Sequence, residues 1–319
     1  MVKNFAVVGC GGYVAPRHLE AIEHTGNQVV AAMDKNDSVG ILDSFGEEIK
    51  FFTEFERFMR YGRKLKLDKS DKKIDYFSIC SPNFLHDTHI HAALDIGANA
   101  ICEKPLVISP WNLDSLSEHE TRTGKKIYNV LQLRVHPSII NLKRDVEKKD
   151  FGSHEIDLTY ITPRGPWYDQ SWKGNDEMSG GLATNIGIHF FDMLGWIFGN
   201  NLESETHYKD HKKIGGYCEF DKARVRWFLS RDSKDLPSKL KMNGKNSPYR
   251  SILIDGEELE FSNVFKNLHN KVYEDILSGR GSQIEDVRPA IELAYDLKQN
   301  NLSYKDVERI HPFTKRYIK

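Results

Sequence analysis

Three short segments of this chain combine side chains and spacing that could hold a ligand and do chemistry beside it. The first is Gly9-Cys10-Gly11-Gly12-Tyr13-Val14, a glycine turn between an apolar run and a helical pattern. A dinucleotide site needs glycine where the chain turns sharply and where backbone approaches a pyrophosphate resting on a helix N-terminus. Gly9, Gly11 and Gly12 meet that need, with Tyr13 in the same turn. The third glycine of the usual fingerprint is replaced by Val14, which predicts looser helix packing there. Asp34 ends the next apolar run, where a carboxylate accepts hydrogen bonds from a ribose diol and repels an added phosphate. NAD is therefore expected in preference to NADP, although Lys35 beside it softens that preference. Alone, Asp34 would read equally as a turn or helix cap.

The second and third segments are Ser81-Pro82-Asn83 with His86, and Glu103-Lys104-Pro105. Both follow apolar runs, at the carboxyl edge where open parallel sheets bind ligands. Pro82 and Asn83 suit a tight turn whose amides face a cofactor, and the turn role is as good a reading as direct contact. His86 is either a contact or a helix-start residue satisfied by backbone. Lys104 between an acid and a proline reads by default as a surface salt bridge; its place at the mouth of the sheet makes it a candidate for chemistry.

The elements that must hold these residues follow from periodicity. Apolar runs at 3–8, 27–33, 76–80 and 98–102 alternate with helical patterns after the glycine turn and at 55–67, 88–96 and 110–123. That alternation predicts a parallel sheet covered by helices. Beyond 128–134 the texture changes: strands are expected at 154–162, 215–220, 223–230, 251–254 and 258–261, with helices at 186–198, 268–278 and 288–299. The expectation is an α/β Rossmann N-terminal domain over residues 1–130 and an α+β C-terminal domain over 131–319. The second is expected to carry a mostly antiparallel open sheet, with the active site in a cleft between the two.

Composition excludes several alternatives. The 319 residues include 45 Lys plus Arg against 46 Asp plus Glu, and 39% are hydrophobic. A net charge of -1 lacks the basic excess of a nucleic-acid binder, so none is expected as partner. No apolar run approaches the roughly 18 residues that span a bilayer, and the first run breaks at Gly9, too early for a signal core. Cys10, Cys80, Cys102 and Cys218 form no CxxC pair, which favours free thiols in a cytoplasmic protein without a metal site. The basic stretch 63–73 reads as a solvated connection.

Taken together, Gly9-Cys10-Gly11-Gly12, Ser81-Pro82-Asn83, Glu103-Lys104-Pro105 and the run from Gly180-Gly181 to His189 resemble the Gfo/Idh/MocA oxidoreductases over nearly the whole chain. The resemblance implies that Lys104 sits beside the nicotinamide and the reacting hydroxyl, often before a cis proline. It also implies that the Gly180–His189 segment supplies acid/base groups, and that the cofactor site draws in Gln132. Asn185 stands where most members carry aspartate, and an amide orients substrate but takes no proton at neutral pH. His189 is left as the expected base; in a helix the four-residue spacing puts it on one face with Asn185. Lys104 as the base stays open, since burial depresses a lysine pKa.

Longer stretches, 12–18, 131–137, 183–187 and 249–252, resemble a subgroup of that family, the UDP-N-acetylglucosaminuronate 3-dehydrogenases of lipopolysaccharide and O-antigen sugar synthesis. This implies oxidation of a sugar C3 hydroxyl to a ketone, NADH recycling by 2-oxoglutarate, and a homo-oligomer, dimer or tetramer. A UDP-uronate brings a diphosphate and a carboxylate, so cations and aromatics should line its site. Arg134, Arg164, Lys173 and Arg250 are the candidates, with Trp167, Tyr168, Trp172, Tyr249 and Ser251 near them. The alternatives are a family dehydrogenase acting on another sugar or inositol, and a non-catalytic dinucleotide-binding sensor.

Overall fold

The computed structural model describes residues 1–148, 152–241, 247–259, 267–304 and 306–318. They form two compact units: Met1–Val135 with Val264–Arg288, and His136–Asn263 with Pro289–Lys319. Where one division at 130/131 is expected, the units are discontinuous, because a late segment belongs with the first.

In the first unit six strands form a parallel sheet: β1 (Asn4–Val8), β2 (Gln28–Met33), β3 (Lys50–Phe52), β4 (Tyr76–Ile79), β5 (Asn99–Cys102) and β6 (Ile127–Asn129). Their order is β3-β2-β1-β4-β5-β6. β1 is buried along its whole length, as a central strand covered on both faces must be. The order reverses direction between β1 and β4, so the loops leaving these two strands flank the switch point where such sheets bind ligands. The Ala15–His24 helix buries Ala15, His18, Leu19 and Ile22, a helical spacing, and has proline in its first turn. Helix Leu268–Leu277 packs Val272, Tyr273 and Ile276 into the same core cluster as Phe5, Leu19 and Ile22.

The second unit also carries six strands: β7 (His154–Ile161), β8 (Asn201–Lys209), β9 (Lys213–Phe220), β10 (Ala223–Ser230), β11 (Tyr249–Ile254) and β12 (Glu257–Glu258), in the order β12-β11-β7-β10-β9-β8. The sheet is mixed. β7 and β10 pair in parallel at its centre, and the other neighbours are antiparallel. The expected antiparallel sheet is qualified by that pair: the chain leaves β7 through the Ile188–Phe198 helix and returns through the β8-β9-β10 meander. Strand alternation in sequence says nothing about such a return.

Several elements, β6 and the Pro166–Gln170 helix among them, have no counterpart in the sequence reading. β3 is only three residues long, and the apolar pattern of the continuous Pro137–Lys148 helix is interrupted by charges. β8, NLESETHYK, is an edge strand whose buried residues are Glu205, Thr206 and His207, so its sequence shows no apolar face. The expected strand at 258–261 survives as Glu257–Glu258; its end lies outside the described residues. No helix among the described residues is long and apolar enough to cross a membrane.

Candidate active site

Gly9 leaves β1 with φ of 81°, and a Cβ on it would lie 2.6 Å from the Ser81 amide nitrogen. Only glycine permits that approach of the β1 and β4 exits. A Cβ on Gly12 would meet the Gly9 carbonyl at 3.0 Å, and one on Gly11 would meet the Asp34 carboxylate at 3.2 Å. The Gly11 amide donates to Asp34 Oδ2 at 2.9 Å and the Asn36 amide to Oδ1 at 2.9 Å. The carboxylate is thus aimed across the turn by two backbone donors. These are the shapes that a pyrophosphate and a ribose diol require, so the residues fit NAD. Tyr13 and Lys35 are exposed. In place of the looser packing expected at Val14, its side chain packs against the core cluster.

At the β4 exit, Ser81 and Asn83 are buried, and Ser81 Oγ lies 2.8 Å from His89 Nδ1. His86 is fully buried, with Nδ1 2.7 Å from the Pro105 carbonyl oxygen and Nε2 2.9 Å from that of Ser81. Both ring nitrogens face backbone, so His86 ties the 81–83 turn to the Lys104-Pro105 peptide, which is cis. This corrects its expected role as a cofactor contact: a ring walled in by two carbonyls presents no edge to a ligand. Lys104 is half-buried, as is Gln132 in a short 3-10 turn after β6.

Glu103 is likewise not at the surface. It is 6% exposed; Oε1 accepts from His18 Nε2 at 3.0 Å and His269 Nε2 at 3.1 Å, and Oε2 accepts from the Lys104 amide at 3.1 Å. Burial pushes its carboxyl up, but the hydrogen bonds from both imidazoles outweigh it and hold the group well below the usual range. His18 Nδ1 lies 2.7 Å from the Tyr273 hydroxyl, which also contacts Ser78.

In the second unit, Gly180 and Gly181 have φ of 85° and 79° and lead into a π-helical turn, Ala183–Gly187, that continues as the Ile188–Phe198 helix. The expected helix 186–198 therefore begins with a wider turn, a geometry common at functional sites. Asn185 is buried and His189 half-buried on this element. Asn185 Nδ2 donates to the Tyr168 hydroxyl at 2.9 Å. The Arg231 guanidinium stands 4.9 Å over the Tyr168 ring and forms an ion pair with Asp169. Burial raises the Tyr168 phenol, against the Asn185 hydrogen bond and the Arg231 charge. Lys173 lies 4.3 Å over the Trp172 ring, and burial, then the Arg164 charge, pulls its ammonium down. Arg164 is exposed.

The remaining substrate candidates have the following surroundings. Arg134 Nη2 donates to the Asp286 carbonyl at 2.7 Å. Arg250 sits 5.2 Å over the Tyr160 ring, Ser251 Oγ donates to Glu258 at 2.8 Å, and Tyr249 is half-buried at the start of β11. Arg231 and the Tyr168–Asn185 bond were missed in sequence. Arg231 directly follows β10, and that strand-end position was the one signal available.

Residues 3–130 match the oxidoreductase family (GFO_IDH_MocA), NAD-binding Rossmann fold, and residues 149–260 match the same family's C-terminal alpha/beta domain. Two solved structures of the WlbA (WbpB) dehydrogenase from Thermus thermophilus are 48% and 47% identical to this chain. Each match covers 98% of this chain and 100% of that one, with a TM-score of 0.93. One is a complex with NAD and alpha-ketoglutarate, the other with NAD and UDP-GlcNAcA. The glucose-6-phosphate 3-dehydrogenase of Bacillus subtilis is 21% identical over 93% of this chain and 73% of its own length. With its glycine turn, its Glu103-Lys104-Pro105 segment and both domains accounted for, this chain belongs to the Gfo/Idh/MocA oxidoreductase family.

Proposed function

We propose that this protein is an NAD-dependent dehydrogenase that oxidises the C3 hydroxyl of UDP-N-acetylglucosaminuronate to a ketone, with 2-oxoglutarate re-oxidising the NADH. The observation that carries this reading is the likeness, at nearly half identity over 98% of the chain, to an enzyme whose structures hold NAD with UDP-GlcNAcA or alpha-ketoglutarate; Lys104, Asn185 and His189 are the residues to which the chemistry is assigned. Lipopolysaccharide sugar synthesis is the corresponding setting, and a cytoplasmic location agrees with four buried free thiols.

In this reading the glycine turn at the start of the Ala15–His24 helix receives the pyrophosphate, and Asp34 holds the ribose diol. Ser81, Pro82 and Asn83 shape the turn beside them. Bound NAD supplies the hydride acceptor. His189 takes the hydroxyl proton as hydride leaves the same carbon, and Lys104 steadies the developing oxyanion. Asn185, aligned by Tyr168, orients the sugar. Arg164 and Lys173 stand close enough for the one charge to depress the other, as suits a diphosphate that would relieve both. The oligomer is assigned to the second unit's sheet, whose edge strand β8 leaves Leu202 64% exposed. Light scattering that returns a monomer refutes that assignment.

Absorbance of reduced nicotinamide tests the reaction. Purified protein with NAD should gain the band on adding UDP-N-acetylglucosaminuronate and lose it on adding 2-oxoglutarate. If neither addition changes the band while NAD is bound, the substrate is another sugar or the protein is a sensor.

A further inference from the structure

Five buried polar side chains, from three elements and the loop after β5, meet around Glu103: His18, Ser78, Glu103 itself, His269 and Tyr273. Their protons can be placed from chemistry alone. An ionised Glu103 only accepts, so the Nε2 atoms of His18 and His269 must both carry hydrogen. Burial keeps the His18 ring neutral, which leaves its Nδ1 bare to accept from Tyr273. Ser78 then donates to the Tyr273 oxygen. Every proton in the chain Ser78, Tyr273, His18 points toward one carboxylate oxygen, while the other oxygen takes the Lys104 amide.

The ligating atoms of His18, Glu103 and His269 also lie within 4.8 Å of one another, the donor set of a two-histidine, one-carboxylate metal site. With no ion bound, both Nε2 atoms carry hydrogen and donate to Oε1; a metal, which would displace those protons, is the competing outcome of the test. Packing alone does not explain the cluster, because apolar replacements of buried ionic groups are often as stable.

We propose that Glu103 is a positioning residue for the dehydrogenase reaction: held by His18 from the helix that follows the glycine turn and by His269 from the Leu268–Leu277 helix, it sets the backbone from which Lys104 projects. The proposal rests on the role of Lys104 given above. Positioning errors of about 1 Å cost on the order of 100-fold in rate. The variants are Glu103→Gln, which puts an amide donor or a weaker acceptor against the Lys104 N–H, His269→Gln, which retains an N–H for Glu103, and His269→Leu, which does not.

The test reads kcat and KM with the sugar and, without sugar, the acetic anhydride labelling rate of Lys104 by mass spectrometry, with thermal unfolding as the check on folding. The expected result is a fall in kcat of about 10- to 100-fold in Glu103→Gln and His269→Leu, with KM within about threefold and altered Lys104 labelling. His269→Gln should stay near wild type in both readouts. Wild-type kcat and labelling in His269→Leu, or equal damage in the two His269 variants, overturns the proposal, as does one equivalent of metal in the purified protein whose removal abolishes activity. Should Glu103→Gln fail to fold, the His269 pair decides. If wild-type protein does not turn over the sugar, the functional reading fails, while the labelling comparison still judges the positioning of Lys104.

Discussion

At the residue scale, Lys104 and His189 are assigned different tasks, and their variants should separate them. Lys104→Met keeps chain length and removes the charge, and His189→Ala removes the proton acceptor. Each should lower kcat by about 10²–10⁴-fold with the NAD dissociation constant nearly unchanged by calorimetry; a variant at wild-type rate refutes its assignment. Tyr168→Phe leaves the buried Asn185 amide without the acceptor it has at 2.9 Å, a loss of about 1–3 kcal/mol. A lower kcat/KM for the sugar with unaltered NAD binding is expected. Asp34→Ala frees the Gly11 amide and removes the diol acceptor, so NAD affinity should fall by about tenfold and the preference over NADP should narrow. An unchanged ratio of the two dissociation constants would refute the ribose role. Glycine spacing and a strand-end acid exposed Asp34 to inspection, whereas the family resemblance singled out Lys104 and His189. Tyr168 offered only a place among neighbouring aromatics, because its significance lies in a partner 17 positions away.

The elements matter through their exits. β1 and β4 can bring their loops together only because Gly9 has no side chain, so Gly9→Ala is predicted to be costly. The positive φ alone accounts for about 1–2 kcal/mol, and the 2.6 Å overlap with Ser81 adds to it. A drop in Tm of at least about 2–4 °C and a loss of NAD affinity of about tenfold or more are expected, whereas Gly26→Ala, which would meet nothing within 4 Å, should leave NAD affinity alone. Equal NAD affinity in Gly9→Ala would show that the turn is not the cofactor's cradle. These elements were legible because a parallel sheet buries its strands as apolar runs punctuated by turns. β8 escaped notice because its buried positions are the polar Glu205, Thr206 and His207, and partners such as Arg309 and Ser303 are supplied only by the fold.

For the molecule as a whole, buried histidines set the acid limit. Burial lowers His18 and His86, takes His89 to about 4 and His311 to about 3. Such groups are neutral in the folded chain and protonate near pH 6.5 once unfolded. The unfolded state therefore binds more protons below that pH, and stability that is complete above about 6.5 drains away as pH falls toward the folded values. Glu103, whose folded pKa is depressed, adds a further loss at more acid pH. Tm by scanning fluorimetry should decline steadily from pH 7 to pH 4.5, and a flat profile would contradict the burial of these rings as neutral species. Local order determined much of this protein: hydrophobic period, turn glycines and strand-end polar residues are written within a few positions of one another, so the Rossmann half and Asp34 could be read directly. Only the tertiary structure decided the parallel pairing of β7 with β10, the membership of Val264–Arg288 in the first unit, and the meeting of Glu103 with His18 and His269, 85 and 166 positions distant. Those outcomes follow from which surfaces bury one another and where buried polar groups find partners, and neither is encoded in the propensity of a short window.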